Sequence, residues 1–166
     1  MADSTVPADD TVQNGAPPQT LGEIGLGHFA PYLMNSIMGR YNQRLQDRLG
    51  AEGQSIAKMR TLAVLSVVDG LMTNELAVYA VIEQSTLSRT LDVMEAEALI
   101  RRRPGARDSR VRYIHITEKG RQLFRQVWPG VAETYRDLFA GIPADEHLRF
   151  VGTLRKILRN IRKHDF

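Results

Sequence analysis

A chain of 166 residues with 43% apolar and 25% charged side chains has room for one packed domain with extensions, and is too apolar for a disordered tail. It contains no cysteine, which excludes disulfides, thiolate metal sites, cysteine nucleophiles and thiol-based oxidant sensing. The formal charge of +3 understates its basic character: Asp3, Asp9 and Asp10 are the only charges before residue 21, so the rest carries +6, or +12 in a homodimer, a sign that suits a polyanion.

Residues 1–20 are rich in Pro, Gly, Ser, Thr, Asp and Gln with almost nothing to bury, and are expected to form a disordered arm. Their opening, MADSTVPADD, lacks the basic and apolar regions of a secretory signal. No apolar run approaches the roughly 18 residues that span a bilayer. A cytoplasmic protein with no membrane partner is the expectation.

From Phe29 to Leu49 the residues Leu33, Ile37, Tyr41, Leu45 and Leu49 recur every fourth position, which lines one face of a helix ended by Gly50. Ser55 caps a second helix carrying Met59, Leu62, Ala63, Leu65 and Val67 up to Gly70. Thr73 caps a short third helix through Tyr79, and a fourth runs from about Gln84 to Ala98. The period then changes. Leu99 to Arg103 reads as a strand, Pro104 to Asp108 as a turn, and Val111, Tyr113 and His115 alternate with Arg112, Ile114 and Ile116 in a returning strand. Thr117 caps a long fifth helix. A sixth begins near Pro143, with Asp145 and Glu146 in its first turn and Arg159, Arg162 and Lys163 in its last, as the helix dipole prefers. The order is ααααββαα, mainly α with a small β-hairpin.

Two short helices joined by a tight turn and followed at once by a hairpin form the winged helix-turn-helix arrangement, whose second helix enters the major groove of DNA. Gln84, Ser85, Thr86, Ser88 and Arg89 crowd the start of the fourth helix, where short polar groups meet base edges and phosphates, while Leu87, Leu91 and Met94 face the core. A plain helix cap is the competing reading of these residues. The hairpin weighs against it. Arg101, Arg102, Arg103, Arg107, Arg110 and Arg112 have Asp108 as the only acid among them, a net +5. Like charges this dense repel unless an anion relieves them, although a merely solvated strand is the alternative.

At Met59 to Phe124 the chain resembles the DNA-binding core of the MarR family of bacterial regulators. The resemblance is carried by Glu75-Leu76-Ala77, by Ser85-Thr86-Leu87-Ser88-Arg89, by the run from Leu91 through Met94-Glu95 to Leu99-Ile100-Arg101-Arg102, by Asp108-Ser109-Arg110, and by Ile116-Thr117-Glu118-Lys119-Gly120. With the flanking helices it extends over about residues 25–163. It implies that Arg110 at the wing tip enters the minor groove while Asp108 holds its guanidinium, with Arg107 beside them. One departure is that the family's turn between helices three and four usually has a glycine. This chain has Ala80-Val81-Ile82, which is expected to avoid a positive φ and to tilt the fourth helix.

Leu123, Val127, Val131, Leu138, Leu148, Val151, Leu154, Ile157, Leu158 and Ile161 exceed what a lone winged helix can cover. The resemblance implies an isologous homodimer built from both chain ends, matching a two-fold, pseudo-palindromic double-stranded operator. The expected division is an arm at 1–20, a dimerisation region at 21–50 and 118–166, and a DNA-binding region at 51–117. The resemblance also implies a small aromatic effector, a phenolic or an aromatic acid or its thioester, that releases a repressor from DNA. His28, Tyr32, Met38, Met59 and Arg60 are the candidate contacts, with Phe29, Met34 and Tyr41 nearby in sequence and Arg60 as a carboxylate anchor. Ordinary core packing competes for each of them.

No phosphate loop, nucleophile elbow or His/carboxylate cluster supports an enzyme, and the histidines show no metal-site spacing, so no cofactor is expected. The remaining alternative is a nucleoid-type protein that binds nucleic acid without sequence preference.

Overall fold

The computed structural model describes residues 20–105 and 111–161. They fall into two compact units, one up to Met38 and one from Gly39 onward. In the first, Thr20 and Glu23 form a reciprocal cap, with Glu23 N donating to Thr20 Oγ1 at 3.3 Å and Thr20 N to Glu23 Oε2 at 2.9 Å. That cap starts a four-residue helix, α1 (Leu21–Ile24), followed by a 3-10 turn at Leu26–His28. Neither element was foreseen, because one helical turn is too short to show a period.

Helix α2 (Ala30–Ala51) continues past Gly50, which was expected to end it. The stop lies three residues later, at Gly53 with φ 67, where the Gln54 amide closes on the Leu49 carbonyl at 2.8 Å. Ser55 caps α3 (Ile56–Val67) as expected, its Oγ accepting from Lys58 N at 3.2 Å. Thr73 is the first residue of α4 (Thr73–Ala80) rather than its cap: the Glu75 carboxylate reaches back and accepts from Met72 N at 2.8 Å. Helix α5 (Gln84–Ala96) leads to the hairpin of β2 (Ile100–Pro104) and β3 (Arg112–Ile116), and α6 (Glu118–Leu138) and α7 (Ala144–Ile161) follow. Pro104, assigned to the turn from sequence, ends β2 opposite Arg112.

A two-residue strand, β1 (Leu71–Met72), pairs with β3 and makes the sheet three-stranded and antiparallel, in the order β1-β3-β2. Asp69 fixes that edge. One carboxylate oxygen accepts from Ile116 N at 2.9 Å and the other meets His115 Nδ1 at 3.1 Å. Burial alone would raise the Asp69 pKa, but the Ile116 amide and the His115 ring outweigh it and hold the carboxyl below its ordinary value.

The core has two centres. One gathers Leu62, Leu65, Leu76, Leu87, Leu91, Met94, Ile100, Ile114 and Ile116 between helices α3, α4 and α5 and the sheet. The other packs Leu45 and Leu49 of α2 against Met59 of α3 and Val127 and Val131 of α6. Helix α7 joins α6 through Tyr135, whose hydroxyl meets His147 Nε2 at 2.8 Å, and through the rings of Phe139, His147 and Phe150. None of its residues is buried; Leu148, Leu158 and Ile161 are 70%, 61% and 70% exposed. Among the described residues no helix is long and apolar enough to cross a membrane.

Gly120 explains why a glycine follows the cap of α6. A Cβ there would lie 2.2 Å from the Leu99 carbonyl oxygen and 2.9 Å from Ile116 Cγ1, so the helix can reach the sheet only without a side chain. Gly120→Ala is expected to destabilise the fold by about 1–3 kcal/mol, as overpacking against a fixed backbone does. Thermal and urea unfolding check this; an unchanged midpoint would show that α6 can shift freely.

Candidate nucleic-acid interface

Helix α5 presents two faces. Leu87, Leu91 and Met94 are fully buried, and on the other side Gln84, Ser85, Thr86, Ser88 and Arg89 are all exposed. The structure therefore brings together on one outward surface the five residues singled out on this helix. Glu83 caps α5, with one carboxylate oxygen accepting from Thr86 N at 3.1 Å and from the Ser85 hydroxyl. Those hydrogen bonds, the one from Ser85 first, lower its pKa to about 2, so the group is an anion. Sequence reading missed it, because Glu is an uncommon cap and the polar run was taken to begin at Gln84.

The turn before α5 corrects an expectation. Val81 does take a positive φ, 53°, although it is β-branched. The turn is forced by a pair of closing hydrogen bonds, Ile82 N to Ala77 O at 3.1 Å and Val81 N to Val78 O at 3.2 Å, and by Ile82 packing on the core. Arg60 of α3 holds it from outside. Its Nη1 donates to the Val81 carbonyl at 3.3 Å and its Nη2 to Asn42 Oδ1 of α2 at 3.0 Å. Because Val81 is 78% exposed, its side chain adds little packing to offset the strain. Val81→Gly is expected to stabilise by about 0.5–1 kcal/mol, the relief of strain exceeding the greater entropy of an unfolded glycine. Denaturant melts decide it; a loss of stability would show that the turn is unstrained.

The same closing pattern ends α5: Leu99 N donates to Met94 O at 2.8 Å and Ala98 N to Glu95 O at 2.9 Å, with Ala98 at φ 59. Helix α5 thus stops at Ala96, two residues before the expected end.

In the wing, the arginines divide by role. Arg101 and Arg103 pair with His115 and Tyr113 and are exposed, as is Arg112 opposite Pro104. Arg102, on the alternate face beside Ile114, turns back to α5. Its guanidinium donates to Glu95 at 2.6 Å and Asp92 at 2.7 Å, and its amide donates to Glu95 Oε1 at 3.0 Å. Partial burial works against its charge, but the bonds to Asp92 and Glu95 outweigh it and raise its pKa above the usual value. Arg102 is a clamp between wing and helix, so it leaves the positive surface that the sequence counted. Arg107, Asp108 and Arg110 lie outside the described residues.

Of the candidate effector contacts, His28, Tyr32 and Met38 are exposed in the unit that ends at Met38. Met59 is 6% exposed and packed in the second core centre, while Arg60 is half-buried between Asn42 and Val81. Burial raises the pKa of the nearby Tyr41 hydroxyl, and the charge of Arg60 offsets part of that rise.

Residues 53–111 match the sequence profile of the MarR family. A MarR family transcriptional regulator from Silicibacter pomeroyi, of known crystal structure, is 45% identical, superposes with a TM-score of 0.83, and is matched over 89% of this chain and all of that one. This chain belongs to the MarR family. It is a DNA-binding transcription regulator and not an enzyme. The HTH-type transcriptional repressor IacR of Pseudomonas putida is 23% identical over 133 residues, 80% of each chain. CouR from Rhodococcus jostii RHA1, crystallised bound to p-coumaroyl-CoA, shares the fold with a TM-score of 0.70 at 22% identity, over 86% of this chain and 97% of that one.

For this MarR protein, Arg102→Met is expected to cost about 1–2 kcal/mol of stability through loss of its charged hydrogen bonds. Arg101→Ala is expected to leave stability within about 0.5 kcal/mol of the parent but to weaken DNA binding. Unfolding curves and a duplex titration on both variants separate clamp from contact; two variants with the same profile would refute the division.

Proposed function

We propose that this regulator acts as a homodimer on a pseudo-palindromic operator and is released from it by a small aromatic carboxylate or its thioester. The observation that supports operator reading is the outward polar face of α5 next to the exposed Arg101, Arg103 and Arg112, with Arg102 fixing one against the other. Gln84, Ser85, Thr86, Ser88 and Arg89 are assigned to the major groove, and Arg107, Asp108 and Arg110 to the wing tip in the minor groove.

The DNA-binding region is assigned to residues 51–117 and the dimerisation region to 21–50 and 118–166. The exposed Leu148, Leu158 and Ile161 of α7 support a second copy as their cover. Two-fold symmetry then sets the recognition helices about one turn of DNA apart, near 34 Å.

Arg60 supports the effector reading, because it offers a guanidinium to a carboxylate and already holds the carbonyl of the turn before α5. A ligand carboxylate that draws Arg60 away frees that turn, and α5 with it. Met59 of α3, the helix of Arg60, is proposed with it, and His28, Tyr32 and Met38 stay candidates on sequence grounds. Differential affinity for the two arrangements of the turn is expected to change operator affinity about 5 to 150-fold. Reciprocity requires operator DNA to weaken the ligand by the same factor.

The test begins with selection of duplexes from a random pool, followed by sedimentation of the free protein and by titrations with benzoates, hydroxycinnamates and their coenzyme A thioesters, with and without operator. An inverted-repeat motif, a dimer, and a ligand weakened by operator support the reading. Equal affinity for selected and random duplexes would make the protein a non-specific nucleic-acid binder. Equal ligand affinity in both states would end the switch while leaving the operator reading intact, and a benzoate that binds Arg60→Ala as tightly as the parent would end the anchor.

A further inference from the structure

Glu83 places a full negative charge on the surface that the operator reading turns toward a polyanion. Recognition helices ordinarily leave their first amides open, where they and the helix dipole attract phosphate. Here an anionic cap stands at that end. Thr86 N is taken by Glu83 Oε2, and the same oxygen accepts the Ser85 hydroxyl and, at 3.5 Å, that of Thr86. The whole residue is exposed, so the carboxylate is open to a partner from the outward face.

The consequence for recognition follows from counting hydrogens. A carboxylate only accepts, and a serine hydroxyl whose hydrogen is committed to it can offer a partner only lone pairs. Glu83 and Ser85 therefore present adjacent acceptors at the leading end of α5. Phosphate oxygens are acceptors too, and so are N7 and O6 of guanine and O4 of thymine. Only the exocyclic amines, N4 of cytosine and N6 of adenine, donate into the major groove. Adenine N6 is flanked by acceptors on both sides, its own N7 and O4 of the paired thymine, which meet the second carboxylate oxygen unfavourably; cytosine N4 has an acceptor, O6 of the paired guanine, on one side only.

We propose that Glu83, with Ser85 held beside it as a second acceptor, reads the N4 amine of a cytosine in each half-site and disfavours DNA that lacks one there. The assignment rests on the operator reading above and adds to it a base and a residue. It also gives the charge a use: on random duplex the carboxylate meets phosphates and base acceptors and lowers affinity, so discrimination is gained from both sides.

The experiment compares duplexes selected by the parent protein and by Glu83→Gln, which retains a side-chain oxygen for the Thr86 amide. The parent motif is expected to hold an invariant cytosine in each half-site. In E83Q that position is expected to change to adenine, which a glutamine amide matches at N6 and N7, with the rest of the motif retained. Affinity of E83Q for random duplex is expected to rise. A second measurement uses the unaltered protein: N4-methylcytosine at that position turns a methyl group into the groove in place of the donor, and about a five-fold or greater loss is expected. An unchanged motif in E83Q, or unchanged affinity for the methylated operator, would overturn the assignment with the operator reading intact. A parent protein that selects no motif would remove the operator reading, and this inference with it.

Discussion

The relative placement of α5, the hairpin and α6 depends on one junction, gathered around the carbonyl oxygen of Leu99. There α5 has just ended in its left-handed turn at Ala98, β2 is about to begin, β3 has finished and α6 starts. The Thr117 amide donates to that oxygen at 3.0 Å, the one hydroxyl hydrogen is shared between Ala98 O at 2.7 Å and Leu99 O at 3.0 Å, and Gly120 seats the first turn of α6 against it. Lys119 adds a bond to Glu97 O at 2.8 Å. Recognition helix, wing and the long C-terminal helix are therefore oriented by a few backbone groups. A change in one is felt by the others, because a close-packed interior has no slack to absorb it.

Around this junction the charges are used in opposite ways. Arg102 is bound by two carboxylates and stiffens the unit, whereas Arg101, Arg103 and Arg112 are exposed on the surface. Net charge alone cannot separate these roles. Acidic residues divide likewise: Asp92 and Glu95 are absorbed by the clamp, and Asp69 by the edge of the sheet. Glu83 is bonded only to its own helix start, so its charge stays on the outward face.

Strain sits at the turn between α4 and α5. A β-branched residue in the left-handed region costs of order 1–3 kcal/mol, and it persists only because neighbours over-determine it. Here they do so through two amides, the half-buried Ile82 packed on the core, and the Arg60 bridge to Asn42. The bridge connects α2 to the turn that leads into α5.

The sequence by itself determined the helices whose apolar residues keep one period over several turns, the caps at Ser55 and Thr117, the hairpin, and the polar outer face of α5. These follow from side-chain chemistry repeated along a local stretch. The family was legible from the same stretch. Only the tertiary structure decided what depends on partners distant in sequence. Strand β1 exists because β3 offers its edge, Arg102 is a clamp because Asp92 and Glu95 lie across from it, and Gly120 is needed because Leu99 is 2.2 Å from where a side chain would be. Val81 took the conformation its own chemistry disfavours because the closing hydrogen bonds and the core outweighed a local preference of a kcal/mol or two. Local preference fixes an element when nothing opposes it; where chain segments meet, the sum of contacts is larger and prevails.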